Sequence, residues 1–171
     1  MAEHAAGEDS PGTAMNGFVL ALLFSVVYGG VLGGGLLAEH VFLAGGALND
    51  HVIGTVSLIG ISGALAAFFA WGVQGMGASF PFVGRFVFAL FFLGLLFVVI
   101  GGGLTMMYGY LPFPAKVGPT YQFTTFEEFI ATGLTAMHAF VRFFLEPLRA
   151  SLLALLPAGG LVIALFGPQR P

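Results

Sequence analysis

Two pairs of ionisable residues lie close together in the first third of the chain. Glu39 and His40 end one apolar run, and Asp50 and His51 begin the next, with VFLAGGALN between the pairs. Imidazole and carboxylate groups together suit Zn, Cu or Fe, and the same groups can take up protons. However, no HxxxH or HExxH spacing places two ligands on one helical face, so the sequence predicts no metal site and no catalytic residue. Polar residues cost little at the edge of a membrane, because water reaches them there. The four residues are therefore interpreted as marking that edge.

A second polar group occurs near the C-terminus, where His138, Arg142 and Glu146 follow one another at four-residue spacing. A histidine inside a membrane can ligate haem, but the apolar runs contain no central histidine that would act as its partner. The spacing instead predicts an ion pair between Arg142 and Glu146 on one helical face. The candidate polar cluster consists of Glu39, His40, Asp50, His51, His138 and Arg142.

Glycine is the other residue type whose spacing is informative. Residues 25–40, SVVYGGVLGGGLLAEH, contain the overlapping pairs Gly29–Gly33 and Gly30–Gly34. A phosphate-binding loop places its glycines between a strand and a helix and continues with Lys, whereas these lie inside an apolar run without Lys, which excludes a nucleotide site. Glycines four residues apart clear one helical face for the close approach of another helix. The glycines predicted to pack helices are Gly29, Gly30, Gly33, Gly34, Gly60, Gly63, Gly101, Gly102 and Gly103.

An alternative interpretation of the glycines is that they make room for a flat ligand such as a quinone, a carotenoid or a porphyrin. The sequence predicts no cofactor, and it leaves open a bound lipid, quinone or pigment. Leu36 lies off both glycine rows of the first run, and its truncation is expected to cost little if it faces lipid.

The elements that must position these residues follow from the composition. Hydrophobic types make up 58% of the chain and charged types 8%, against about 45–50% and about 25% in ordinary soluble proteins. So few charges would leave large apolar patches in water, and the surplus apolar surface indicates a bilayer. The net charge of −3 and the absence of basic clusters argue against nucleic-acid binding. The absence of cysteine excludes disulfides and thiolate metal sites.

Four apolar runs, residues 17–38, 52–77, 86–111 and 149–167, have the length of about 20 residues that a membrane-spanning helix needs. Backbone groups in lipid must form their hydrogen bonds internally, so each run is predicted to be helical. Residues 1–16 are acidic and small and are predicted to form a flexible tail, with residues 17–171 forming one polytopic membrane domain.

Residues 124–146 are predicted to form an amphipathic helix. Glu128, Thr135 and His138 belong to a polar stripe that Arg142 and Glu146 continue, while apolar side chains cover the other faces. A threonine at 124 or 125 with a glutamate at 127 or 128 resembles a capping box that opens the helix. Such helices commonly lie along the membrane surface, although a fifth span is the alternative.

The predicted fold is therefore an all-α integral membrane protein with about four transmembrane helices and an amphipathic interfacial helix before the last one. The expected location is a bacterial inner or intracytoplasmic membrane. The expected function is that of a non-catalytic accessory subunit of a larger membrane complex, with an energy-transducing complex as a candidate host. Its expected partners are the lipid bilayer and other integral membrane subunits. The alternatives are a small transporter or channel component that uses the Glu/His cluster, and a haem- or quinone-binding redox anchor.

Overall fold

The computed structural model of the protein describes residues 11–108, 125–146 and 149–168. These residues form five α-helices and no strand. The helices are α1 (Pro11–Ala38), α2 (Asp50–Val73), α3 (Phe82–Tyr108), α4 (Phe126–Phe144) and α5 (Leu155–Phe166). Turns of other helix types extend three of them: a π-helical turn, Glu39–Leu43, follows α1, and 3-10 turns follow α2 (Gln74–Gly77) and precede α5 (Ala150–Ala154).

The predicted all-helical class is confirmed for the described residues. Three helical stretches, Asn16–Leu43, Asp50–Gly77 and Phe82–Tyr108, are long and apolar enough to cross a membrane. The last apolar helix, Ser151–Phe166, is shorter. Three of the four predicted spans therefore correspond to helices of sufficient length and apolarity.

Two helix boundaries differ from the expected ones. Helix α1 begins at Pro11 rather than at residue 17, while residues 1–10 of the expected tail lie outside the described residues. Helix α3 begins at Phe82 rather than at residue 86, so Arg85 lies in its first turn. A guanidinium nitrogen of Arg85 donates to the carbonyl oxygen of Ala164, near the C-terminal end of α5. A basic side chain suits the unpaired carbonyls of a helix C-terminus, and Arg85 is therefore accommodated inside the bundle.

Glycine contacts define how α1 and α2 pack. Gly29 lies against Gly60 and Ala64, and Gly33 lies against Val56 and Gly60, so the two helices run in opposite directions. A β-carbon on Gly60 would lie 3.2 Å from the carbonyl oxygen of Gly29. The two backbones touch without intervening side chains, which is the arrangement that small residues permit in membrane helices.

Helix α5 runs antiparallel to α3. Gly160 lies on Leu90, and Gly159 lies between Leu93 and Tyr28. The hydroxyl of Tyr28 donates to the carbonyl oxygen of Leu155 at 3.2 Å, which fixes the start of α5 against α1. Leu93 has no exposed surface and occupies the centre of the core.

Helix α4 covers the C-terminal half of α3. Its N-terminus is capped by Thr125, whose hydroxyl oxygen accepts a hydrogen bond from the backbone N–H of Glu128 at 3.2 Å. This cap agrees with the predicted start of the helix. Phe140 lies over Gly101 and stacks edge-on against Phe97, with ring centroids 5.0 Å apart. The polar stripe points away from the bundle, and its exposed members are Glu128, Thr135, His138, Arg142 and Glu146.

Candidate functional site

The site begins where helix α1 widens into its π-helical turn. The backbone N–H of Ala44 donates to the carbonyl oxygen of Glu39 at 3.0 Å, which is the i→i+5 pattern of a π-helix. Such turns insert one extra residue into a helix and occur frequently at functional sites. Here the turn contains both Glu39 and His40. Gly45, with φ of +62°, then reverses the chain in a conformation that favours glycine.

His40 is held by the loop that follows it. Its ring lies directly on Gly46, where a β-carbon would overlap the imidazole. Its Nε2 is 3.3 Å from the carbonyl oxygen of Ala47. Gly46 therefore allows the imidazole to fold back over the loop.

A buried ion pair joins the end of α1 to the segment before α5. Arg149 Nε lies 3.6 Å from Glu39 Oε1, and the Glu39 side chain is only 9% exposed. Arg149 Nη1 also donates to Glu146 Oε2 at 2.6 Å, and the guanidinium carbon lies 4.0 Å above the ring centre of Phe143. Arg149 thus bridges one buried and one exposed carboxylate while stacking on an aromatic face, an arrangement to which a planar guanidinium is suited.

These groups border a cavity of about 200 Å³ at the C-terminal end of α1. The polar groups of its wall come from Glu39, His40, His51, Thr55 and Arg149. The apolar part comes from Leu36, Ala44, Val52, Val56 and Phe143. We call this space the polar cavity.

The structure brings together only part of the candidate polar cluster. Glu39, His40 and His51 meet at the polar cavity. Asp50 is exposed and lines a separate groove with Leu104 and Tyr108 on α3. His138 and Arg142 are exposed on the outer side of α4, away from the cavity wall. Among the described residues no group of three or more histidine and acidic side chains is placed to hold a metal ion.

The ion pair expected between Arg142 and Glu146 does not form. Helix α4 ends at Phe144, so Glu146 lies beyond the last helical residue and the i,i+4 geometry is lost. Glu146 instead pairs with Arg149, which also pairs with Glu39. Arg149 is the residue of this site that the sequence did not indicate, because no local spacing links it to a glutamate more than a hundred positions earlier.

Two buried polar atoms at the polar cavity lack a hydrogen-bond partner among the described residues: Glu39 Oε2 and Arg149 Nε. The Nε–Oε1 separation of 3.6 Å is close enough for an ion pair but too long for a hydrogen bond. One atom is an acceptor and the other a donor. With neutral histidines, Glu39, Glu146 and Arg149 together carry one excess negative charge.

The nine glycines separate into two groups. Six lie in contact with a neighbouring helix: Gly29, Gly33, Gly60 and Gly63 between α1 and α2, and Gly101 and Gly102 beneath α4. For the other three, Gly30, Gly34 and Gly103, a β-carbon would meet no described atom within 4 Å. Leu36, whose truncation was expected to cost little if it faces lipid, is instead buried at 5% exposure and lines the polar cavity.

Comparisons of the chain with protein-family models, with curated proteins and with solved structures gave no match.

Proposed function

We propose that the protein is a non-catalytic accessory subunit of a larger complex of integral membrane proteins. The observation that carries this proposal is the outer row of α1. Gly30, Gly34 and Ala38 are exposed and follow one another at four-residue spacing, which places them on one helical face. No described atom lies within 4 Å of a β-carbon on either glycine.

The outer row repeats the pattern that α1 already uses internally. Gly29 and Gly33, one position earlier, hold α2 at backbone contact. In lipid, helices associate chiefly through close packing, and small residues at four-residue spacing permit it. A glycine also costs about 0.5–1 kcal/mol relative to alanine inside a helix. The exposed pair Gly30–Gly34 is accounted for if a helix of another subunit packs against it.

Bulky side chains border the outer row. Val26, Val27 and Val31 are exposed at 63%, 62% and 48%. Val26 closes the outer row at its N-terminal end, and Val27 and Val31 flank the glycines along one side. This surface accepts the ridge of a partner helix, so the partner chemistry is an apolar transmembrane helix that presents small residues of its own. An energy-transducing complex of a bacterial inner membrane is our candidate host.

The proposal includes the membrane topology. Arg149 meets Glu39 at one end of α1, whereas Ala164 meets Arg85 at the opposite end of the bundle. The segment between them therefore runs most of the length of the bundle, helped by its 3-10 turn, which rises about 2.0 Å per residue instead of 1.5 Å. We assign this segment as a fourth crossing.

Helix α4 packs along α3 in the opposite direction, with Phe140 on Gly101 and Phe144 on Phe97. Its C-terminal half therefore lies beside α3, and we assign only its N-terminal half to the membrane surface.

The test compares two open glycines on different helices. Gly34→Leu fills the outer row of α1, and Gly94→Leu makes the same change on α3, where a β-carbon also meets no described atom within 4 Å. Membranes are solubilised in mild detergent, and the complex is followed by native gel and mass spectrometry of the co-migrating chains. We expect Gly34→Leu to lose the partner chains while its own thermal stability does not fall below the wild-type value. Retention of every partner by Gly34→Leu, or equal loss in Gly94→Leu, would contradict the assignment.

A further inference from the structure

The polar cavity lies at the depth of lipid headgroups. The apolar helical stretch Asn16–Leu43 has its midpoint between Gly29 and Gly30. Glu39 is about ten residues beyond that point, or roughly 15 Å along a helix at 1.5 Å per residue. This distance equals half of a hydrocarbon core about 30 Å thick. If α1 crosses the bilayer symmetrically, the Glu39 carboxylate lies where acyl chains give way to headgroups.

The segment that contributes His40 and Ala44 to the wall of the polar cavity continues into an apolar loop between α1 and α2. Phe42, Leu43 and Leu48 are exposed at 83%, 73% and 59%. An exposed apolar loop beside a buried ion pair is costly in water, but it is favourable against acyl chains. A ligand bound here has its polar end on Glu39 and Arg149 and its apolar part along this loop.

The size of the polar cavity restricts the ligand. Its volume of about 200 Å³ is several times the roughly 30 Å³ that one water molecule occupies in the liquid. It is also below the roughly 300–1,000 Å³ of pockets that enclose a drug-sized molecule. A headgroup of a few heavy atoms is accommodated, whereas a haem or a whole quinone is too large.

The two unpartnered atoms determine the chemistry of the headgroup. Glu39 Oε2 needs a donor and Arg149 Nε needs an acceptor, and both are buried at the same cavity. Leaving such buried groups unpaired is unfavourable, and more so when the group is charged. A primary ammonium donates to the carboxylate and a phosphate oxygen accepts from the guanidinium, so one zwitterionic group satisfies both. We propose that the polar cavity binds the headgroup of a lipid that carries a primary ammonium and a phosphate, as phosphatidylethanolamine does.

The same geometry discriminates against the other common headgroups. A quaternary ammonium has no N–H, so phosphatidylcholine leaves Glu39 Oε2 unpaired. An anionic headgroup such as that of phosphatidylglycerol meets the excess negative charge of Glu39 and Glu146 over Arg149. The site therefore selects for N–H donors rather than for phosphate alone. It lies within one chain and requires no partner subunit.

The experiment measures lipid selectivity on the full chain in detergent. The protein is mixed with equal amounts of phosphatidylethanolamine, phosphatidylcholine and phosphatidylglycerol that share the same acyl chains, and retained lipids are counted by native mass spectrometry. We expect phosphatidylethanolamine to be retained about tenfold over phosphatidylcholine, which corresponds to about 1.4 kcal/mol and to one hydrogen bond to a charged group. Equal retention of the two zwitterionic lipids, or strongest retention of phosphatidylglycerol, would overturn the proposal without any variant.

Two isosteric variants test whether the preference for phosphatidylethanolamine arises at Glu39. Glu39→Gln removes the buried carboxylate and should abolish the preference for phosphatidylethanolamine. Asp50→Asn makes the same change at the same end of the bundle, on an exposed residue outside the polar cavity, and should retain it. Equal loss in both variants would assign the preference to general surface charge and overturn the site.

A soluble competitor distinguishes a lipid from a free ligand. O-phosphoethanolamine carries the same two groups without acyl chains. If the apolar loop contributes to binding, this compound displaces the lipid only at concentrations far above that of the lipid. Displacement at equal concentration would retain the ammonium–phosphate chemistry and overturn the assignment to a lipid.

Discussion

Two of the glycine contacts between helices, those of Gly29 and Gly101, differ in what fills the space. Between α1 and α2, Gly29 meets the backbone oxygen of Gly60 and, 2.7 Å from a β-carbon position, the methyl group of Ala64. Between α3 and α4, Gly101 meets the ring of Phe140. The first contact is backbone against backbone, and the second is backbone against an aromatic side chain.

The difference determines which contact can adapt. A carbonyl oxygen within a helix moves only if the whole helix moves, because its position is fixed by the hydrogen-bond ladder. An aromatic ring moves when its own torsion angles change, although Phe140 is fully buried and packs against Phe97 and Phe144. The two contacts arise from similar glycine patterns in the sequence. We nevertheless expect a methyl group added at the α1–α2 contact to lower stability more than one added at the α3–α4 contact.

The largest effect is expected for Gly29→Ala. The added methyl group would overlap the carbonyl oxygen of Gly60, so α1 and α2 must separate. Overpacking of an interior typically costs about 1–3 kcal/mol, and we expect the upper part of that range, measured as a fall in thermal stability in detergent. Ala64→Gly should not rescue the variant, because it removes a methyl group but leaves the Gly60 oxygen in place. Full rescue by Ala64→Gly would show that the contact depends on side chains after all.

A smaller loss of stability, about 1–2 kcal/mol, is expected for Gly101→Ala, because the Phe140 ring that the new methyl group meets can move by changing its own torsion angles. The matched test is a double-mutant cycle with Phe140→Leu, which removes the ring above the new methyl group. Gly101→Ala should cost less in the Phe140→Leu background than in the wild type, with a coupling on the order of 0.5–3 kcal/mol. Strictly additive losses would mean that the ring does not fill the space over Gly101, and the distinction between the two contacts would disappear.

The pattern of glycines predicts close packing, but it does not indicate which face packs. Gly29–Gly33 and Gly30–Gly34 have the same spacing and lie one position apart in the same apolar run. Only the positions of the other helices distinguish a row that touches α2 from a row that touches no described element. For the same reason Leu36, which lies off both rows, was assigned no neighbour, although it lines the polar cavity beneath Arg149.

Features whose interacting residues lie only a few positions apart could be predicted from the sequence. The cap of α4 by Thr125 was predictable because its acceptor and donor are three residues apart. The long helices were predictable because their composition alone requires them. The polar cavity was not, since Glu39 and Arg149 meet only after α3 and α4 have folded between them. The end of α4 at Phe144 likewise removed the expected partner of Arg142.

The smallest effect, and one of opposite sign, is expected for glycines with open space beside them. Gly30→Ala and Gly103→Ala each add a methyl group that meets no described atom within 4 Å. Alanine loses less backbone entropy than glycine on folding, so each variant should gain about 0.4–1 kcal/mol in the isolated protein, measured as a rise in thermal stability. Gly30 and Gly103 share this open space, but only Gly30 lies on the row that we propose contacts a partner helix. If the outer row of α1 docks a partner helix, Gly30→Ala should weaken assembly with the partner even as it stabilises the isolated chain, while Gly103→Ala leaves assembly unchanged. A destabilised Gly30→Ala variant in the isolated protein would instead place a contact of this same chain on the outer row, and the contrast between the inner and outer rows of α1 would be wrong.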